Sequence, residues 1–395
     1  MESGRRLHAP RVNPVMREGA EVTPLELFFD LVFVLALTQC TQLMADKPTW
    51  GGAAEAMLIL SVLWWSWGGY AWLTSVINPE EGAVRLAMFA AMAAFLVVAL
   101  CVPETFGDLG LLFAGAYAVV RAAHIALFWI ASREDADLRN SVTSLAISSA
   151  VGVALLVAAS FLDGAAQGAV WVAAVVLDYG GPYFFGAAGW KIVAEHFAER
   201  YGLIIIIALG ESIVAIGAGV TGDLTVAIVA AAVLGVTMLA MMWWAYFDVV
   251  ALVAVRRLAG IEDRQEQNET ARDSYSYLHL PMVAGIVLVA LGLKKTIEHV
   301  DDPLKLVPAF ALIGGFAIYL LAHVAFRFRN VHTINRRRLG LGIGLFALLP
   351  LAVEIPALAT LAILTAIACG LIAYEAIRYA EHRDRVRHEP AAEAH

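Results

Sequence analysis

The sequence predicts an all-α polytopic membrane protein, with about twelve transmembrane helices arranged as two parallel six-helix repeats. Three observations carry that prediction: an excess of apolar residues, apolar runs of membrane-spanning length, and basic residues confined to alternate loops. Of 395 residues, 61% are hydrophobic and 16% charged. A soluble domain carries roughly 25% charged residues, so one water-facing surface could not cover so apolar a chain. The net charge of −8 and the lack of any basic or aromatic platform exclude nucleic acid as a partner. Cys40, Cys101 and Cys369 lie inside apolar runs without metal-ligand spacing and are read as core residues.

A spanning helix needs roughly 20 mainly apolar residues. Such runs lie near 25–45, 54–76, 84–103, 109–131, 141–161, 168–190, 201–221, 225–250, 276–295, 304–326, 339–356 and 357–379. The first follows a polar leader, residues 1–24, and continues without a small-residue cleavage site, so it is expected to be a retained helix rather than a signal peptide. The organisation that follows is a first repeat over 25–190, a second over 191–380 and a charged, mobile tail over 381–395. The longest connection, from Val255 to Ser274, is expected to be a cytoplasmic loop.

Loop charge tests the count independently. With the N-terminus inside, the inner segments hold Arg5, Arg6, Arg11 and Arg17, then Arg85, then Arg133 and Arg139, then Lys191 and Arg200. The series continues with Arg256 to Arg272, Arg327 to Arg338 and finally Arg378 to Arg387. Of 27 Lys and Arg, only Lys47, Lys294, Lys295 and Lys305 fall in outer loops, and Arg121 lies within a span. Cytoplasmic loops collect Lys and Arg, and a miscounted span would reverse the bias downstream. No reversal occurs. The expected location is a bacterial inner membrane with both termini cytoplasmic.

The halves repeat one another. Glu26-Leu-Phe-Phe-Asp30 is matched with Glu199-Arg-Tyr-Gly202, Trp64-Trp65 with Trp243-Trp244, Val97–Leu100 with Leu288–Leu291, and Ala123-His124-Ile125-Ala126 with Ala322-His323-Val324-Ala325. Six spans per unit return the chain to the side where it began, so the repeats are parallel. A site or pathway is then expected at their interface.

Ionisable groups inside hydrocarbon cost at least ~2.5–3.5 kcal/mol each and need a reason to be there. Glu26 and Asp30, four residues apart, share a helix face with Thr38 further along it. They read either as a proton or cation relay or as a structural pair bonded to Arg200, Arg121 or backbone donors of the other repeat. Glu211, followed by Ser212 and set among glycines, falls near the middle of the seventh run and opposite Thr38, and reads either as a proton or ion site or as a buried hydrogen-bonding clasp. Asp178 precedes Gly180-Gly181-Pro182, which invites a break in the sixth span. Together Glu26, Asp30, Thr38, Asp178, Glu211 and Ser212 form the candidate ion pathway. His124 and His323 occupy equivalent positions, with Arg121 one turn from His124. They read either as hydrogen-bonded packing elements or as ligand-holding or pH-sensing groups, the latter role being open also to His279, which is expected to pair with an acid such as Glu195 or Asp248. Asp248 reads as an acid anchoring an aromatic belt. No Gly-x-Ser-x-Gly, phosphate-binding loop or His-Glu-x-x-His is present, so no catalytic residue, metal or cofactor is assigned.

Thr23-Pro-Leu-Glu-Leu-Phe-Phe-Asp-Leu-Val-Phe-Val34 resembles the opening of the bacterial low-temperature-requirement protein A family. The similarity extends to Trp64-Trp65, to Gly202 through Ile213 with Ala208-Leu-Gly-Glu-Ser-Ile213, and to Tyr275–Leu280. It implies a membrane protein linked to growth in the cold. A weaker similarity joins Phe28-Phe29-Asp30 and the two-by-six layout to two-repeat potassium channels with a Phe-Ser-Asp motif, from which Phe29 departs. The function expected is a cation or proton channel or an ion-coupled transporter. The alternatives are a redox or cofactor-binding protein using His124 and His323, and a non-transporting stress-related membrane protein. The expected partners are the lipid bilayer and a small cation or proton, and the pattern is compatible with a homo-oligomer.

Overall fold

The computed structural model of the protein describes residues 21–80, 82–184, 189–381 and 383; the rest of the expected leader and tail lies outside the described residues. The chain is all helical there. Among the described residues, ten helices are long and apolar enough to cross a membrane. In chain order the helices begin with α1 (Pro24–Asp46), α2 (Trp50–Val76), α3 (Gly82–Cys101), α4 (Gly110–Ala131), α5 (Ala136–Ala159) and α6 (Gly164–Phe184), the last of which is not among those ten. Then follow α7 (Ala194–Gly219), α8 (Val226–Phe247), α9 (Val250–Ala259), α10 (Arg264–Ala271), α11 (His279–Glu298), α12 (Leu306–Val331), α13 (Arg336–Gly344), α14 (Leu349–Ala352) and α15 (Ala357–Arg378).

Side-chain caps start many of these helices. Thr23 accepts from the Glu26 N–H while the Glu26 carboxylate accepts from the Thr23 N–H, and Pro24 sits at the first helical position. Thr49, Asp135, Thr225, Asp263 and Asn335 cap α2, α5, α8, α10 and α13.

Two expectations need correction. The eleventh run, 339–356, is not one membrane helix but α13, a 3-10 stretch Leu345–Leu348 and the short α14. Gly340, Gly342 and Gly344 weaken the helix and Pro350 interrupts its bonding, although the composition is apolar. The expected loop over 255–274 is also mostly helical. There α9 buries Ala254 and Leu258, and α10 runs through a π-helical segment, Arg272–Tyr277, into α11.

The centre of the molecule is α11 with α12. These helices are buried over 72% and 78% of their apolar stretch, against 28% for the α8–α9 stretch, which places α8 at the rim. Glycine makes the central approach possible. A methyl group on Gly285 would lie 2.6 Å from the Gly315 carbonyl, and one on Gly292 would lie 2.5 Å from Leu312 Cβ. Around this spine, α11 also packs on α7 and α1, α1 on α2 and α3, α7 on α8, and α15 on α8. Phe28, Leu31, Leu100, Ile147, Phe161, Val176 and Val233 point outward, as expected of a lipid-facing surface.

Candidate functional site: a polar seam between α1, α7 and α11

Helices α1 and α7 run parallel in constant register. Glu26 meets His196 at 2.9 Å and the Arg200 guanidinium donates to Asp30 Oδ1 at 2.8 Å, both pairs offset by 170 residues. Glu211 stands beside Thr41 at the same offset. Sequence matching of Glu26 with Glu199 set Glu211 against Thr38, one turn short. The structure moves its partner to Thr41, while the Thr38 hydroxyl donates to its own helix at Val34 (3.1 Å).

The end of the seam where both helices begin is a closed ionic cluster. Arg200 also approaches Glu26 at 3.6 Å, and the Trp67 indole N–H donates to Asp30 Oδ1 at 2.8 Å. Glu26, Asp30, His196 and Arg200 are 0–1% exposed. Two carboxylates in such a place need cations and donors, and Arg200, His196 and Trp67 supply them. Of the two readings open for Glu26 and Asp30, the structure shows the pair bonded to Arg200 of the other half. His196 and Trp67 were missed from the sequence. The i, i+4 spacing of His196 and Arg200, matching that of Glu26 and Asp30, is the signal that could have found the first.

Further along, the seam changes character. Glu211 is 1% exposed, yet neither carboxylate oxygen has a donor in hydrogen-bonding geometry among the described residues. The neighbouring Thr41 hydroxyl is directed at the Leu37 carbonyl, 3.3 Å away. Lys294 of α11 is the cation whose charge acts on Glu211, and it donates to Gln42 Oε1 of α1 at 2.5 Å. The expectation that Lys294 lies in an outer loop is therefore corrected: it belongs to α11 and is buried. Because α7 begins at Ala194, Glu211 sits in the distal half of its helix rather than near the middle. Ser212 beside it donates to the Ala208 carbonyl (3.2 Å) and reaches toward Ile286 of α11 (3.5 Å), a packing contact between α7 and α11.

The remaining candidates form separate clusters. Asp178 lies among α4, α5 and α6, 3.6 Å from Arg121 and 3.4 Å from the Ser149 hydroxyl, and Arg121 also donates to Ser149. The expected mid-span break after Asp178 does not form. Helix α6 continues through Gly180 and Gly181, and Pro182 falls in its last turn. Gly181 instead admits Ser148, whose Oγ would lie 2.9 Å from an added methyl group.

His279 does not pair with Glu195 or Asp248. Its Nε2 meets the Tyr246 hydroxyl at 2.8 Å and its Nδ1 meets the Ser274 carbonyl at 3.0 Å. The π-helical turn, closed by the Leu278 N–H to the Asp273 carbonyl (3.1 Å), presents the Ser274 carbonyl to the ring. Asp248 binds Arg383 instead, at 2.7 Å, with the guanidinium over Trp244. His124 and His323 rest against matching rings, Tyr70 at 5.2 Å and Tyr246 at 5.8 Å. Each has an arginine beside it, Arg121 for His124 and Arg338, at 3.3 Å, for His323.

Outside the spans, Asp135 caps α5 and meets Lys191 at 2.8 Å. The Lys191 ammonium and the Leu138 N–H hold its carboxyl below the ordinary carboxylate range.

A sequence model of the bacterial low temperature requirement A protein (LtrA) matches residues 21–373. An uncharacterized protein of Rhizobium meliloti (strain 1021) is 32% identical over 307 residues, covering 75% of this chain and 74% of that protein. No solved structure matches the chain significantly. The match spans both halves of the seam, from Thr23 beyond Lys294, and on that ground the chain belongs to the bacterial low temperature requirement A family.

Proposed function

We propose that this protein is a proton- or cation-coupled membrane transporter, with its path at the interface of units 25–190 and 191–380 and Glu211 as the coupling group. The observation that carries the proposal is the Glu211 carboxyl: fully buried, with no committed donor on either oxygen. An ionised carboxylate in that position costs several kcal/mol unless neutralised. A bound proton, a bound small cation or a redirected Lys294 each neutralises it. Alternation between such states is what coupling requires, because a ligand shifts a conformational equilibrium only through its different affinity for the two states. The Arg200 cluster fastens α1 to α7 near their beginnings, which leaves the Thr41–Glu211–Lys294 end to rearrange. Close packing along the seam favours an alternating carrier over an open pore. The orientation that goes with this reading has both termini in the cytoplasm of a bacterial inner membrane.

The test is flux into proteoliposomes under imposed K+, Na+ and H+ gradients, comparing wild type with Glu211→Gln. Gradient-driven flux in the wild type that the variant loses while it folds normally is the expected result. Equal flux in the two proteins, or none in either, overturns the proposal.

A further inference from the structure

Away from the seam, a cavity of about 60 Å³ lies between α2, α4 and α5 and the π-helical segment before α11. Its walls include Trp64, Trp65 and Trp72, and its polar groups include Arg121, His124 and Arg272. By volume it accommodates a few waters or one small polar ligand. The sequence keeps the space open at Gly69. A methyl group there would come within 2.8 Å of His124 Cε1 and 3.3 Å of Arg121 Nη1.

The hydrogen-bonding balance of the wall is one-sided. Among the described residues, no carboxylate lines the cavity. The Trp64 and Trp72 indole N–H groups are directed at Ser276, to its carbonyl at 2.7 Å and its hydroxyl at 2.9 Å. Arg272 is held from behind by Asp273 and the Pro182 carbonyl. What remains at the cavity is His124, 1% exposed with neither ring nitrogen in hydrogen-bonding geometry, together with the Trp65 indole N–H and the Nε–H of Arg121, both buried and likewise outside that geometry. The Gly69 backbone lies alongside the imidazole but outside that geometry. Buried polar groups of this kind are satisfied by something. Asp178, 3.6 Å from Arg121, and Asp273, on Arg272, balance these cations from outside the lining, so the donors left facing the cavity select a ligand that supplies acceptors.

We infer that the cavity binds a small monovalent anion, a halide or a short carboxylate, held by Arg121 and His124 against the indole wall. The site is independent of the role proposed for Glu211.

The experiment uses the purified full-length chain in detergent. Chloride or acetate replaces gluconate, which is too large for the cavity, at constant ionic strength. The expected result is a thermal midpoint that rises and saturates with chloride, acetate or both but not with gluconate, the two salts separating a halide site from a carboxylate site. Bromide, a heavy-atom quencher, should quench indole emission along a saturating curve. Gly69→Ala and His124→Ala should raise the half-saturation concentration by about tenfold or more, the effect of losing one charge-assisted hydrogen bond. Equal midpoints in every salt, as for a site holding only water, or unchanged half-saturation in the folded variants would overturn the inference. If neither variant folds, the wild-type bromide titration decides: saturation supports the site, and strictly linear collisional quenching refutes it.

Discussion

Arg200 offers the sharpest test of how the two halves are joined. Its guanidinium is 1% exposed and spans two acids of α1, 2.8 Å from Asp30 and 3.6 Å from Glu26. Arg200→Gln keeps much of the volume but removes the positive charge, so Asp30 retains only the Trp67 indole and Glu26 retains His196 with its own cap. Removing one partner of a buried ion pair costs about 3–5 kcal/mol, because the survivor is left charged and dry. Asp30→Asn is the milder change, since Arg200 still has Glu26 and the replacement amide still accepts from Trp67. If the stranded charge causes the loss, combining the two substitutions should recover part of it, a coupling of about 1–3 kcal/mol. The assay is a four-protein cycle of reversible unfolding in mixed micelles. Strictly additive losses, or an Arg200→Gln protein within about 1 kcal/mol of wild type, would refute the reasoning that this cluster clamps the interface.

Three further predictions follow from other parts of the structure. Gly285→Ala should destabilise the protein by about 1–3 kcal/mol, because its methyl group would meet the Gly315 carbonyl at 2.6 Å. Gly370→Ala, with nothing within 4 Å of the added atom, should be neutral or stabilising, and thermal midpoints of the two compare them directly. Trp64→Phe should cost about 1–3 kcal/mol by leaving the Ser276 carbonyl without its indole donor, readable as a lower thermal midpoint. The contribution of Asp135 should depend on pH. Its carboxyl is held below the ordinary range, so its stabilisation is complete above about pH 4 and is lost as the pH falls through the lower folded value. Asp135→Asn should abolish that acid-side slope in unfolding measurements, and an unchanged slope would disprove the assignment.

Much of the architecture was legible in the sequence because a bilayer imposes length and polarity on every span. Leu25 to Met44 or Leu306 to Phe326 could hardly be anything else. The same criterion failed at 339–356, since apolarity does not report whether Gly340, Gly342, Gly344 and Pro350 permit a continuous helix. It failed again over 255–274, where Asp263 and Glu266 signal a helix start that a search for apolar runs passes over. At the seam, the burden of Glu26, Asp30 and Glu211 was readable from their depth, and Arg200 was already a named partner. That Lys294 would reach Gln42 was not readable. It depends on α11 packing against α1, a contact between distant segments that no local pattern encodes. His279 escaped for a related reason, because the π-helical turn supplies it with a backbone carbonyl and a tyrosine instead of an acid.

The Arg383–Asp248 pair ties the residue just beyond α15 to the folded body. Asp248 occupies the bend between α8 and α9, and the guanidinium that balances it arrives from beyond α15, across Trp244. A protein truncated before residue 383 would leave an acid at this bend without its guanidinium, beside an uncovered indole. Loosening would then begin at α8 and α9, far in sequence from the cut. Shortened versions made to aid crystallisation or labelling should therefore retain Arg383, and a purification handle belongs beyond it.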